Sequence, residues 1–510
     1  MGTRPKTAAG RYSELAMKRS PYLQRARDCA ELTIPSILPR EGQTGAMDLP
    51  TPYQGMGARG VNNLAAKLLL ALLPANQAFF RLMLDDYSLE ELAGSPDLRS
   101  EIEEALSQYE RTIQSQIETT PTRPSLFEAI KHLIVTGNVL IYVLPEFGLK
   151  VFRLDKYVVK RDPTGEVVEI IIKESISPAT LPEELREMID NLPGETANDQ
   201  TVDLYTWIRR DGDMFHVHQE IKGEVLEGTD GEFPLDRCPF IPLRWTKIDG
   251  EDYGRGHVEE YMGDLRSLEG LTKAIVEGSA AAAKVLFLVN PNGITNERTI
   301  ASAPNLAVRT GTAEDVTVLK VDKFADFRVA FEAMNMITMR LSQAFLLVSS
   351  VQREAERVTA EEIRLVATEL EDALGGVYSI LSQEFQLPYV RRLMFQMVDQ
   401  GKLPPLPEDR VQPAIVTGMD ALGRGHDLNQ LIMWAQTNIQ AIGVEAFLSQ
   451  IHINDFVRRT GVSLSIALAG LLKTKEEVQM EQQQAQQQMM MQQLGPDAMR
   501  LAAQQQGQTE

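Results

Sequence analysis

Chemistry is first conceivable in a glycine-rich stretch near the N-terminus. Gly55-Met56-Gly57-Ala58-Arg59-Gly60 has the G-x-G-x-x-G spacing that brings a backbone close to a pyrophosphate at a helix N-terminus. That use needs a buried strand just before the loop, and Thr51-Pro52 stands there instead, so dinucleotide binding is not expected. His216 and His218 fall on one face of a strand and offer two imidazoles to a metal, but no third ligand accompanies them. The blander reading is a half-exposed surface pair. His257 and Glu260, at helical spacing, read as first-turn capping, and acid pairs such as Asp85-Asp86 read as solvated. No G-x-x-x-x-G-K-[ST], G-x-S-x-G, H-E-x-x-H or C-x-x-C sequence occurs. Nothing assembles a nucleophile, a base and an oxyanion donor. The expectation is therefore no enzymatic activity, no cofactor and no metal.

The elements that would carry a non-catalytic function are large. The chain has 510 residues, 43% hydrophobic and 24% charged, which suits two to four domains with a sizeable core. Net charge is -20 and pI about 4.9. A chain this acidic is not expected to grip nucleic acid, because it releases few phosphate counterions, though it could surround it loosely. Cys29 and Cys238 stand far apart without a partner motif, so neither a disulfide framework nor a zinc site is expected. The N-terminus lacks the apolar stretch of a signal peptide, and Leu64 to Leu73, interrupted by Lys67, is too short to span a bilayer. A reducing compartment and no membrane follow as expectations.

In order, the chain reads as a helix from Tyr12 to Thr33 interrupted at Pro21, a Gly/Pro loop over 46–60, and an apolar helix from Val61 to Leu73. Residues 1–45 are locally basic, and Asp85 to Glu104 is acidic. Helices over about 98–119 and 124–137 come next. The period then becomes two: Val139–Leu144, Leu149–Leu154, Tyr157–Arg161 and Val167–Lys173 are predicted strands, and Val202–Arg209 with Met214–Ile221 form a hairpin around Asp211-Gly212. This mixed region ends near Gly256.

From His257 to Lys284 a helix with three faces is predicted. Gly263, Ser267, Gly270, Ala274, Gly278 and Ala281 make one stripe of small residues. Leu265, Leu268, Leu271, Ile275 and Val276 make an apolar flank; Arg266, Glu269, Lys273, Glu277 and Lys284 make a mixed-charge face turned to water. Such a helix suits close packing against copies of itself, although a small-residue stripe in soluble proteins often marks only a tight internal contact. Short strands and loops occupy 285–322. A second helix, Asp322 to Phe345, buries Phe327, Ala330, Met334, Ile337, Leu341 and Phe345. A polar loop, Ser349 to Val358, carries Arg353 and Arg357; its bland reading is a solvated turn. One very long helix follows, opened by a Thr359-x-x-Glu362 capping box, weakest at Gly375-Gly376 and stopped or kinked at Pro388. A Pro-rich linker from Leu403, a helical region over about 427–472 and a tail with 13 Gln and 5 Met from Glu476 complete the chain.

Four stretches together resemble one family. They are TPYQGMGARGVNNLAAKLLLALLP (51–74), YGRGHVEEYMGDLRSLEGL (253–271), VNPNGIT (289–295) and VQREAERVTAEEIRLVATELEDALGGVYSILSQEFQLPYV (351–390). The family is the portal, or head-to-tail connector, proteins of short-tailed, autographivirus-type phages, and the resemblance runs from about Tyr12 to about Gly425. It implies an α+β, mainly helical portal fold with wing, stem, clip and crown, assembling as a ring, usually of twelve subunits, around a central channel at one capsid vertex. Double-stranded DNA is packaged and later ejected through that channel. The implied parts are a wing (1–256), stem helices (257–284 and 322–345), a clip between them (285–321), a channel loop (346–358), a wing strut and linker (359–426), a crown (427–475) and the Gln/Met-rich tail (476–510). The implied partners are the terminase large subunit and then the tail adaptor at the clip, with scaffolding, major capsid and internal core proteins. The implied location is the virion, after assembly in the host cytoplasm. Arg353, Arg357, Arg328, Arg340 and Lys273 become candidates to face DNA, and the stripe Gly263–Ala281 becomes the ring interface. A net acidic conduit with few lumen cations suits sliding, because each tightly held phosphate is a barrier. A helical assembly scaffold leaves the β region unexplained, and a nucleotide-binding enzyme built on 51–74 lacks its constellation.

Overall fold

A computed structural model describes residues 7–43, 46–74, 79–84, 96–177, 201–282, 286–296, 298, 301–304, 307–319, 324–347, 360–374, 376–404, 413–417, 424–451, 453, 456–457, 460–461 and 480. Helix α1 (Ala8–Glu31) starts where Thr7 accepts a hydrogen bond from the Gly10 N–H at 3.3 Å. It runs unbroken through Pro21; the carbonyl that Pro21 leaves without an N–H partner belongs to Met17, a residue 72% exposed. Ala8, Tyr12 and Leu15 pack on Val158, Ile171 and Trp207. Two buried carboxylates fix the same helix to the sheet beneath. Glu169 takes a two-pronged contact from Arg11 (2.7–3.2 Å) and a hydrogen bond from Trp207 Nε1 (2.9 Å), while Glu220 accepts the Ala8 N–H (2.6 Å). The Arg19 guanidinium donates to the carbonyls of Leu154 and Tyr157.

Helix α2 spans Met56–Leu72 and begins inside the glycine motif, earlier than its apolar pattern implied. Gln54 Oε1 accepts the Gly57 N–H at 2.9 Å, which supplies the missing start. Strand β1 (Phe80–Leu84), helices α3 (Pro96–Thr119) and α4 (Thr122–Thr136) follow. Strands β2 (Asn138–Val143) and β3 (Leu149–Phe152) come next, then β4 (Tyr157–Arg161), β5 (Val167–Ile176), β6 (Val202–Asp211), β7 (Met214–Ile221), β8 (Glu224–Val225), β9 (Gly231–Pro234) and β10 (Phe240–Arg244). One antiparallel sheet has the order β10-β2-β3; the other has β4-β5-β6-β7-β8, with β9 also on β7. Alternation and turn residues predicted β2 to β7 within a few residues, whereas β8, β9 and β10 were not anticipated.

Next come α5 (His257–Glu260) and α6 (Met262–Ala282), so the single helix expected from His257 is broken at Tyr261. Strands β11 (Leu286–Val289) and β12 (Val316–Leu319) pair antiparallel, and α7 spans Phe324–Ala344. The expected long strut is not one helix. It consists of α8 (Ala360–Leu374), α9 (Val377–Leu381), a π turn (Ser382–Gln386) and α10 (Leu387–Asp399). The break falls at Gly376, in the left-handed region (φ 90°), and Glu371 bridges it by accepting from Ser379 N (3.1 Å) and Oγ (2.7 Å). Pro388 neither stops nor breaks the chain. It stands in the first turn of α10, where a missing N–H and a fixed φ are tolerated, and the π turn before it closes with the Leu387 N–H donating to Ser382 O.

The Pro-rich linker leads to β13 (Pro413–Thr417), which pairs with β1 from Phe80↔Thr417 to Leu84↔Pro413. The pattern gave no sign of this pair. Residues 1–85 with 109–422 form one compact unit. A second comprises 86–108 and 423–510 and contains α11 (Arg424–Ile442) and α12 (Val444–Gln450), separated at Gly443.

Candidate ring-forming and channel-lining surface

Helices α6 and α7 form an antiparallel hairpin. Arg340 Nη2 donates to Asp264 Oδ1 at 2.7 Å, and Thr272 Oγ1 lies 3.7 Å from Met334 Sδ. As periodicity predicted, α7 buries Ile337 and Leu341, Phe345 just beyond its end is also buried, and Ala330 and Met334 are half-buried; the side chain of Phe327 lies outside the described residues. The outer side of α7 leaves Val329, Phe331, Met336 and Met339 between 52% and 68% exposed.

The small-residue stripe of α6 faces outward. Gly263, Ser267, Gly270, Ala274 and Ala281 are exposed and Gly278 is half-buried. A Cβ built on Gly263 or Gly270 meets no atom within 4 Å. The apolar flank differs from expectation: Leu265 and Leu268 are buried within the chain, Leu271 and Ile275 are half-buried, and Val276 is half exposed. The charged face is also partly used internally. Glu269 accepts the N–H groups of Tyr53 (3.0 Å) and Gln54 (3.1 Å), and Arg266 lies 3.7 Å from Asp28. Lys273 sits 5.8 Å from the Tyr53 ring centroid and 3.9 Å from Glu277. Arg328 is paired with Glu332 at 3.3 Å. Of the candidate cations, Arg328, Arg340 and Lys273 therefore lie on the hairpin beside a carboxylate. Arg353 and Arg357 lie outside the described residues, as do Lys284, Thr359 and the side chain of Glu362.

The glycine motif has a packing role. Gly57 lies against Leu32 O and Gly60 against the Phe345 ring, where a Cβ would come within 2.6 Å and 2.5 Å. Phe345 is fully buried, with ring contacts to His257 (5.3 Å) and Tyr261 (6.1 Å). His257 is not a first-turn cap: its Nε2–H donates to Ala344 O at 3.0 Å. Burial holds its pKa below the usual 6.5, against the opposing pull of that carbonyl. Asn63 Nδ2 donates to Phe345 O (3.0 Å) and Leu346 O (3.1 Å). Helix α7 ends in a Schellman motif, with Leu346 N to Gln343 O (3.0 Å) and Leu347 N to Ser342 O (2.8 Å). Its left-handed position is occupied by Leu346 (φ 52°) rather than glycine.

Between α6 and α7, the turn Asn290-Pro291-Asn292-Gly293 is clasped by Asp315. Its Oδ2 accepts from Ile294 N (2.9 Å), Thr295 N (3.1 Å) and Thr295 Oγ1 (3.0 Å). The two histidines of β7 each face a carboxylate, His216 with Glu232 and His218 with Glu220, both at 3.1 Å. Among the described residues no group of three His, Cys, Asp or Glu side chains could hold a metal ion. Burial pushes both cysteine thiols up to about 12. No helix of the described residues is long and apolar enough to cross a membrane. Asn63 and Asp315 were missed by sequence reasoning.

Comparison with known proteins agrees with the resemblance. The profile of the family described as bacteriophage head to tail connecting protein matches residues 5–472. The portal protein of Escherichia phage T7 is 44% identical over 481 residues, covering 92% of this chain and 89% of that relative. The portal protein of Enterobacteria phage T3 is 43% identical over 482 residues, with the same coverage. That of Enterobacteria phage SP6 is 31% identical over 473 residues, covering 92% of this chain and 90% of the relative. Among solved structures, the neck of an empty GTA particle computed with C6 symmetry aligns at TM-score 0.34 and 12% identity, over 75% of this chain and 86% of that one. The sequence relatives and the family profile together decide the assignment: the chain belongs to the bacteriophage head-to-tail connecting, or portal, protein family.

Proposed function

We propose that the protein forms a closed ring, of twelve subunits in the manner its family resemblance implies, around a channel at one capsid vertex, through which double-stranded DNA enters during packaging and leaves at infection. The observation that carries this is the outward face of the α6–α7 hairpin. A stripe without side-chain bulk lies on α6, and an apolar row of Val329, Met336 and Met339 lies exposed on α7. A ring built head to tail needs two different surfaces on each copy. Large side chains of one copy's α7 fit the groove left by the next copy's glycines. The hairpin is the stem in this reading, β11–β12 and the Asp315-clasped turn belong to the clip, and α11 and α12 to the crown.

The protein acts as a conduit and docking platform. ATP hydrolysis belongs to the terminase large subunit docked at the clip; the tail adaptor replaces it there, and scaffolding, major capsid and internal core proteins surround the ring during assembly in the host cytoplasm. Arg328, Arg340 and Lys273 on the stem, with Arg353 and Arg357 beyond it, are the cations proposed to approach phosphates. The carboxylates beside the stem cations weaken any one grip and favour sliding. The test is the native mass and end-on image of the purified protein, followed by Arg357→Ala. A closed annulus whose Arg357→Ala variant assembles but retains less packaged DNA is expected. A monomeric wild type, or a variant that retains its genome like the parent, overturns the ring or the residue assignment respectively.

A further inference from the structure

Residues 348–359 separate α7 from α8, and one face of α2 contacts both the end of α7 and the body of α8. Before the segment, Asn63 donates to the carbonyls of Phe345 and Leu346. After it, Lys67 pairs with Glu369 of α8 at 3.2 Å, the lysine side chain being only 12% exposed. Asn63 and Lys67 are four residues apart, hence neighbours on the helix surface. The end of α7 is strained. A leucine in the left-handed region is disfavoured by its own Cβ, and its preferred right-handed conformation would let α7 run on past Ala344. The stop is held from outside: His257 takes the Ala344 carbonyl, Asn63 the next two, and Phe345 is locked between His257, Tyr261 and the bare Gly60.

We infer that Asn63 is a positioning residue: it holds Leu346 in the left-handed conformation, so that α2 fixes where the stem helix ends. In the proposed ring this ends the stem helix at the same residue in every copy, a consequence that rests on the portal reading; the clasp itself does not. Helix α2 then acts as a mechanical link between stem and strut rather than as a phosphate loop.

A substitution cycle tests the clasp in the full-length protein. Asn63→Ala should speed hydrogen exchange at the amides of Leu346 and Leu347 about tenfold, the factor that one lost hydrogen bond brings. In a Leu346→Gly background the same change should matter much less, because glycine adopts φ 52° without help. Leu346→Gly alone should raise the melting temperature, which a glycine in an unstrained turn would not do. Equal acceleration in both backgrounds, no acceleration, or a lower melting temperature for Leu346→Gly alone would overturn the assignment. Genome retention provides the second arm. Asn63→Ala particles should lose packaged DNA, with Leu346→Gly restoring retention. If exchange follows the cycle and retention does not, the clasp stands and its role in the channel is refuted.

Discussion

Gly270→Leu separates assembly from folding because the two effects have opposite signs. In the single chain a Cβ at Gly270 meets nothing within 4 Å, and the position is exposed on α6. A leucine there removes no contact and replaces the poorest helix former after proline, which should stabilise the helix by about 0.5–1 kcal/mol. Between copies the same side chain must enter a groove that exists because bulk is absent. Overpacking of that kind costs about 1–3 kcal/mol, which weakens each subunit contact roughly 5- to 150-fold. Every copy carries the change, so every contact in the ring is weakened. Sedimentation velocity over a dilution series should show monomers or open oligomers where the parent is closed, while the melting transition of the dissociated chain is unchanged or slightly higher. A ring of parental mass over the whole dilution series would refute the stripe as an interface, and a destabilised monomer would show that the face is internal.

Asp315→Ala removes an acceptor shared by three donors of the Asn290–Thr295 turn; protection from exchange at Ile294 and Thr295 should fall, with about 1–3 kcal/mol lost locally and the global melting temperature little changed. For His257 the folded pKa lies below 6.5, so the unfolded chain binds a proton that the folded chain refuses. Its contribution is therefore present above about pH 6.5 and lost as pH falls below that value. Denaturation midpoints measured from pH 7.5 to 5 should decline, and His257→Gln, which can still donate to Ala344 O, should flatten that part of the slope.

Much of the region proposed as the wing was legible because its strands β2 to β7 obey local rules. Alternation selects the buried face, and turns such as Asp211-Gly212 fix where each strand ends. The α6–α7 hairpin was legible in pattern and less so in use. The small-residue stripe is exposed as its composition suggested, but Leu265 and Leu268 serve the chain's own core, and Glu269 caps the loop at Tyr53 and Gln54 instead of meeting water. The strut misled because proline is the stronger local breaker on propensity alone, whereas a π turn before Pro388 and a left-handed Gly376 reverse the outcome. Strands β1 and β13 were illegible because five residues give little periodicity and the partner lies hundreds of residues away. Asn63 was illegible as a clasp for the same reason: its acceptors belong to another part of the chain.

That distant strand pair also sets an order of events at birth. Leu84 leaves the ribosome long before its partner Pro413 exists; at ~5–20 residues per second the wait is roughly 15 to 70 s. Until then the segment Phe80–Leu84, FRLML, lacks its partner strand and carries one charge, Arg81, to discourage pairing with another nascent chain. Closure of this edge must await synthesis of Thr417, and a truncation before residue 413 is expected to leave that edge uncovered.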